Sequence, residues 1–547
     1  MSRRGGKLLA DQLAVHGTDA AFCVPGESYV ELLDGLYSSP IRLITCRHEA
    51  SAANMAEAYG KLTGRPGVCM VTRGPGATQA SVGVHTAFQD STPLILLIGQ
   101  VASSQEEREA FQEVDYRRMF GPLAKWVAQI EQVDRIPELL ARAYTTACAG
   151  RPGPVVLALP EDMLAAESDA ADAPAFRVVQ PSPGAAELES LRGLLASAER
   201  PLAIIGGGGW TPATSTHLRP FLEANALAAG AAFRRQDALD NDSPSYVGDV
   251  GIGINPALAE RVRDADLLLV VGPRLGEMTT SGYTLLDVPR PRQTLVHVHP
   301  GAEELGRVYQ ADLPILAGME QFAAAVADLR VEPRWREWAA AARRDYEAWQ
   351  RHEPVPGSVD LGACLAHLRG RVPDAVLCNG AGNHTAWAHR FWRFHDYPSQ
   401  LAPTSGAMGY GVPAAVAAKL VLPERTVVCI AGDGEFLMAG QELATAVQYD
   451  LPIVVLVVDN GMYGTIRMHQ ERQFPGRVVG TDLVNPDFAA YARAFRAYGE
   501  TVERTEDFPA ALDRALAAGA PAVVSLRVDP EAVTPRTTLS AIRSGGS

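Results

Sequence analysis

Two short turns hold the residues best suited to chemistry. Gly432-Asp433-Gly434 follows the apolar run VVCIA, and Asp459-Asn460-Gly461 closes the run LPIVVLVV. A carboxylate, an amide oxygen and a nearby backbone carbonyl are hard oxygen donors of the kind Mg²⁺ takes, and a diphosphate can complete the octahedron. The first turn also opens a predicted helix, where backbone N–H groups with no intrahelical partner hold phosphate. A Gly-Asp-Gly alone serves equally well as a tight βα turn. The pairing with a second turn one strand–helix–strand interval later is what points to a ligand. Both turns lie at the carboxyl ends of strands expected to be neighbours, where open α/β sheets bind ligands. A further acidic candidate is Glu49 in Arg47-His48-Glu49, which in isolation also reads as surface charge. The glycine run in PLAIIGGGGW fits either a tight turn or a nucleotide cradle.

The elements that must position these residues follow from the hydrophobic pattern. Continuous β-branched runs such as PLILLIG, PVVLALP, ADLLLVVG and PAVVSLRV alternate with Ala-rich helical stretches. Unbroken apolar strands, rather than alternating ones, suit a parallel sheet covered on both faces. Polar, Pro/Ala-rich stretches at 167–176 and 352–360 read as linkers. The expected architecture is α/β, with three doubly wound parallel-sheet domains near 1–165, 185–335 and 355–535, the middle one Rossmann-like, and a tail at 536–547. The first and third units repeat one pattern: small-residue helix, strand with a cysteine, G-x-G turn, helix, apolar strand. Cys69 matches Cys429, Gly74-Pro75-Gly76 matches Gly432-Asp433-Gly434, and Pro93 matches Pro452. Matched order at matched spacing predicts two copies of one fold. Pro75 stands where the third unit has Asp433, so a metal carboxylate belongs to the third unit only.

At 547 residues the chain is long enough for three or four domains of roughly 150 residues each. The 49 basic and 63 acidic residues leave a net charge of −14. That balance argues against nucleic-acid binding, which needs concentrated Lys and Arg, but not against a small phosphate ligand held by amides and a metal. The seven cysteines are odd in number, form no CxxC pair and sit mostly in apolar runs, so inert core thiols and a reducing compartment are expected. No apolar run approaches the roughly 18 residues of a membrane span, and the N-terminus has no signal-like apolar stretch. A cytoplasmic protein without membrane partners is the expectation.

The stretch GDGEFLMAGQELATAVQYDLPIVVLVVDNGMYG resembles the thiamine diphosphate signature, and more closely that of the acetolactate (acetohydroxyacid) synthase large subunits. VPGESYVELLDGL, CRHEASAANMAEAYGKLTG, GPGAT, FQDSTPLILLIGQV and EAFQEVD match that family's amino-terminal domain in order, and TSGAMGYGVPAA precedes the metal motif as it should. The resemblance covers nearly the whole chain. It implies that Asp433, Asn460 and the carbonyl of Met462 hold Mg²⁺. Gly382, Asn383, His384, Gly432 and the amides of Gly434 and Glu435 would hold the diphosphate. Pro25, Gly26, Gly406 and Tyr463 would also contact the cofactor, and Met408 would wedge beneath it. Glu49 would hydrogen-bond the aminopyrimidine and so promote loss of the thiazolium proton. Gln112 and Lys125 would join it as catalytic residues, and Phe111, Ile466 and His469 would line the substrate pocket.

The implied activity is decarboxylation of a 2-oxo acid, pyruvate favoured, with transfer to a carbonyl acceptor. Alternatives are a simple 2-oxo acid decarboxylase, a 2-hydroxy ketone lyase or carboligase with another acceptor, and a thiamine diphosphate-binding subunit without turnover. Because Glu49 and the metal residues lie in different units, the resemblance implies a homodimer or homotetramer with the site at a subunit interface; no regulatory subunit is assigned. The chain departs from the family in four places. Met278, in GPRLGEM, replaces an arginine that contacts flavin and second substrate. His299 and Gly248-Asp249-Val250-Gly251 replace further flavin contacts, so FAD is not expected. His469 stands where the biosynthetic enzymes carry a tryptophan that favours 2-oxobutyrate, which removes that basis for acceptor choice.

Overall fold

The computed structural model describes residues 2–545; the last two residues of the 536–547 tail lie outside them. The chain forms two compact units. The first comprises 1–179 with the short segments 416–421 and 444–449, and the second holds the remainder.

In the first unit six parallel strands form one sheet: β1 (Ala20–Cys23), β2 (Arg42–Thr45), β3 (Gly67–Val71), β4 (Leu94–Gln100), β5 (Trp126–Gln129) and β6 (Pro154–Pro160). Their order is β2-β1-β3-β4-β6-β5. The central strands β3, β4 and β6 are buried along their whole length, as expected for a sheet covered on both faces. Helix α1 (Glu49–Thr63) leaves β2, and α2 (Pro75–Asp90) follows β3. They pack very closely because their facing residues are small: a Cβ on Gly83 would stand 2.4 Å from Ala53 Cβ. Lys61 on α1 is buried against Glu57 and Asp90. The Tyr449 hydroxyl accepts from Thr45 N (2.8 Å) and donates to Leu43 O (3.1 Å), which braces edge strand β2 just ahead of α1.

The second unit contains two sheets. The middle one orders β7 (Pro201–Ile205), β8 (Ala228–Ala232), β9 (Tyr246–Val250), β10 (Leu267–Val271), β11 (Thr294–His299) and β12 (Leu313–Leu316) as β9-β8-β7-β10-β11-β12. Numbered from its first strand this is 3-2-1-4-5-6, the Rossmann order. The glycine run after β7 has a structural reason. A Cβ on Gly207 would come 2.1 Å from Gly272 O, and one on Gly272 would come 2.0 Å from Gly206 O. Two turns cross backbone to backbone there, so side chains are excluded.

The third sheet contains β13 (Val376–Asn379), β14 (Gln400–Leu401), β15 (Val427–Gly432), β16 (Val454–Asp459), β17 (Tyr498–Val502) and β18 (Ala522–Arg527). Its order is β14-β13-β15-β16-β18-β17. In each domain's own numbering, the first and third sheets are both 2-1-3-4-6-5 and both fully parallel. The repeat seen in the sequence is therefore a repeat of fold. Helices α3 (His384–Phe391), α4 (Asp433–Ala439), α5 (Gly464–Gln473), α6 (Phe488–Ala494) and α7 (Leu539–Arg543) complete the parts that bear on function. Buried hydrogen bonds join the middle and third sheets: Gln236 N to Gln400 Oε1 (2.7 Å), and Ser399 N and Gln400 N to Asp237 Oδ2 (3.0 Å each).

All seven cysteines are buried. Burial pushes the thiols of Cys23, Cys148 and Cys364 up to about 12, so they stay protonated and inert. Among the described residues no helix is long and apolar enough to cross a membrane.

Candidate functional site

In the first unit the candidate residues gather at the carboxyl ends of β1, β2 and β3. Glu49 is the first residue of α1, and His48 caps that helix by accepting from Ala50 N at its Nδ1 (3.1 Å). The Glu49 carboxylate lies over the turn after β3: a Cβ on Gly76 would stand 3.4 Å from Glu49 Oε1. Gln112, in left-handed backbone conformation (φ 66°), arches over the same turn, its carbonyl 2.7 Å from where a Gly74 Cβ would be. Tyr116 completes the turn by accepting from Gly74 N (2.9 Å). Pro25-Gly26 follows β1, and Gly26 packs on Thr72, leaving no room for a Cβ there (2.5 Å to Thr72 Cβ). Phe111, next to Gln112, is 72% exposed. Lys125 does not join this group. It precedes β5 at the opposite, amino end of the sheet, where its Nζ donates to Ala149 O (2.7 Å).

In the second unit a cavity of about 480 Å³ opens at the carboxyl ends of β13, β15, β16 and β18. Gly382, Asn383 and His384 line it from the β13 side, Gly432 to Glu435 from β15, and Asn460, Met462 and Tyr463 from β16. Gly406, Met408 and Ile466 stand at its walls. Trp387, Val533 and Val528 supply an apolar side that the sequence alone did not single out. His469 lies outside the cavity lining, exposed on α5 three residues past Ile466.

The Asp433 carboxylate is 3% exposed and richly hydrogen-bonded. Oδ1 accepts from Gly434 N (2.8 Å), and Oδ2 accepts from Gly461 N (2.8 Å) and Asn485 Nδ2 (2.8 Å). Burial nonetheless raises its pKa above the ordinary carboxylate range, against the lowering effect of these donors, and the neighbouring Asp459 adds to the rise. A cation would favour the ionised form here. Asn460 Oδ1 accepts a local bond from Met462 N (3.2 Å). Asn383 is fixed by Thr465 Oγ1, which donates to its Oδ1 (2.8 Å).

Several features fit a metal–diphosphate group. His384 Nε2 and both Glu435 carboxylate oxygens are buried without a hydrogen bond, although Nε2 and Oε2 stand 3.2 Å apart. Glycine makes the floor: a Cβ on Gly382 would meet His384 Nδ1 at 2.7 Å, one on Gly432 would meet it at 3.0 Å, and one on Gly434 would meet Tyr463 Cε1 at 2.5 Å. The Asp433 carboxylate and the Asn460 amide oxygen are hard donors that suit Mg²⁺ rather than zinc or copper.

The wall carrying Ile466 is tied to the chain's tail. Glu471 on α5, fully buried, accepts from Arg543 Nε (3.0 Å) and Nη2 (2.5 Å) and from Gly476 N (2.9 Å). These donors, Arg543 first, hold its carboxyl at about 2. A depressed carboxyl contributes stability that is complete above its unfolded pKa of about 4.5 and is lost as pH falls towards about 2. Arg543→Ala leaves the Glu471 carboxylate without its charged partner, lowers the melting temperature at pH 7 and releases α7 to protease. Thermal melts of wild type and variant should converge between pH 4.5 and 2; curves that stay parallel down to pH 2 would contradict this.

Sequence comparison agrees with this geometry. Residues 3–119 match the thiamine pyrophosphate enzyme N-terminal TPP binding domain, 188–326 the central domain and 380–526 the C-terminal TPP binding domain. The acetolactate synthase isozyme 2 large subunit of Escherichia coli K12 is 32% identical over 531 residues, covering 96% of this chain and 95% of the relative. Acetolactate synthase large subunits of Parasynechococcus marenigrum (30%, covering 96% and 87%) and Corynebacterium glutamicum (30%, covering 93% and 84%) are similar.

Proposed function

The chain belongs to the thiamine pyrophosphate enzyme family, and from that premise we propose that it decarboxylates a 2-oxo acid, pyruvate favoured, and ligates the product to a carbonyl acceptor. The observation that carries this reading is the cavity of the second unit, where Asp433 and Asn460 offer oxygen ligands beside the glycine floor and His384. Asp433, Asn460 and the Met462 carbonyl hold Mg²⁺; His384, Asn383 and the amides of Gly434 and Glu435 hold the diphosphate. Bound thiamine diphosphate supplies an acidic carbon centre and an electron sink for loss of CO₂.

The protein's own share is orientation and proton control. Met408 and Ile466 shape the apolar wall, and Glu49 holds a proton at its carboxylate, with Gln112 beside it. Lys125, at the other end of its sheet, and His469, outside the cavity, are left out of the site of a single chain. We place FAD outside the cofactor set. The working form is a cytoplasmic homodimer or homotetramer in which Glu49 of one copy serves the cofactor of another.

Incubation with pyruvate, alone and with a panel of 2-oxo acids and aldehydes, tests the reaction. Acetolactate, or a mixed 2-hydroxy ketone, is the expected product. Rapid acetaldehyde without any ligated product would overturn the ligation step in favour of a simple decarboxylase.

A further inference from the structure

Asn485 lies outside every motif that suggested a function, 26 residues after Asp459 and 52 after Asp433, yet its side chain touches both. Nδ2 donates to Asp433 Oδ2 and to Asp459 Oδ1, each at 2.8 Å. An amide nitrogen has two hydrogens, so both are used. Its Oδ1 is buried without a partner. The reverse orientation of the amide would point that oxygen at two carboxylates, so the hydrogen-bond network selects this one.

The backbone around Asn485 is held on both sides. Ahead of it, Tyr463 N donates to Thr481 O (2.9 Å) and Leu483 N to Gly461 O (2.8 Å), and Met462 pairs with Asp482 as an antiparallel bridge. This lashes the 481–483 segment to the loop that carries Asn460 and Met462. Behind it, Pro486 restricts Asn485 to extended backbone, and Asp487 caps α6 by accepting from Ala490 N (2.9 Å). The amide is thus presented to the two carboxylates by a segment that cannot easily turn away.

Resting on the metal reading above, we propose that Asn485 is a positioning residue that selects which oxygen of Asp433 meets the cation and keeps Asp459 from competing for it. Each carboxylate oxygen has about two acceptor sites. On Asp433 Oδ2 both are taken, by Gly461 N and Asn485 Nδ2; on Oδ1 only one is taken, by Gly434 N. The vacancy for a cation is therefore on Oδ1. The other Asn485 hydrogen occupies Asp459 Oδ1 and offsets the like-charge repulsion between the two acids. Without the bridge, Asp433 keeps only its two backbone donors, Oδ2 gains an open acceptor site that competes with Oδ1 for the cation, and the charge of Asp459 is no longer offset.

Mn²⁺ as a spectroscopic substitute for Mg²⁺, titrated in the presence of thiamine diphosphate and followed by electron paramagnetic resonance, tests this without relying on turnover. Asn485→Ala weakens Mn²⁺ binding about tenfold, within the 10–100-fold that loss of a ligand-supporting residue costs. Adding Asp459→Asn to that variant recovers most of the loss, because the repelling charge is gone; a residue that merely packs would give losses that multiply. Asn485→Ser keeps one donor and serves the same comparison if the alanine variant does not fold. Binding within twofold of wild type in a folded Asn485 variant, or no recovery in the double variant, overturns the bridge. A wild-type protein that binds no Mn²⁺ with the cofactor overturns the functional reading and this inference together.

Discussion

Glu49→Gln lowers turnover by roughly 10²–10⁴-fold, the contribution of a positioned proton-transfer group, while thiamine diphosphate and Mg²⁺ still bind. Glutamine has nearly the shape of glutamate and keeps the α1 N-terminus intact, since His48 rather than residue 49 caps the helix. The approach of the side chain to Gly76 is likewise undisturbed. What is lost is the capacity to hold and release a proton at the carboxylate. Hydrogen–deuterium exchange at C2 of the bound cofactor, read by NMR after rapid quenching, separates this from a binding defect. Exchange at the wild-type rate in Glu49→Gln would refute the role assigned to it.

The second large effect is expected at Asp433. Asp433→Asn removes the cation's charged ligand and places an amide hydrogen against at least one of the three donors that now converge on the carboxylate, Gly434 N, Gly461 N and Asn485 Nδ2. Mg²⁺-dependent cofactor binding falls by more than about 100-fold, beyond the range for a supporting residue. Quenching of tryptophan fluorescence reports it, because Trp387 lines the cavity. Stability of the metal-free protein should change far less. Burial raises the Asp433 pKa in the metal-free protein, so the folded state binds its proton more tightly than the unfolded chain does. That preference stabilises at low pH and is lost as pH rises through the raised value. At pH 7 the gain from removing the buried charge is opposed by the amide hydrogen now facing a donor, so the metal-free variant melts near the wild-type temperature. A clearly lower melting temperature would mean that the carboxylate's role is structural. Mixing Glu49→Gln with Asp433→Asn protein should restore part of the activity if the working site combines two copies, since a mixed dimer then has one intact set.

The parts of this site that were legible in the sequence are those whose chemistry is local. Gly432-Asp433-Gly434 and Asp459-Asn460-Gly461 are each continuous turns at the end of an apolar strand, and a strand's carboxyl end in a parallel sheet is a place that spacing alone predicts. The repeat linking the first and third units was legible for the same reason, whereas Gly382, Asn383 and His384, which follow β13 and open α3, entered only through the family resemblance. The glycines after β7 were ambiguous because a backbone crossing and a nucleotide cradle demand the same residue; the contact with Gly272 supplies a structural cause.

Other residues depended on chain reversals that no local pattern records. Lys125 enters the site only through the family resemblance, and the direction of β5 puts it at the sheet's amino end. Asn485 carries no signal of its own, because its partners are brought to it by the pairing of 481–483 with the metal loop. By itself the sequence determined the α/β class, the three-sheet plan and the family, since hydrophobic period and turn chemistry act over a few residues. Only the tertiary structure decided which donors saturate the Asp433 carboxylate and which side chains share its cavity, because hydrogen bonds between residues far apart in sequence exist only once the strands have taken their places.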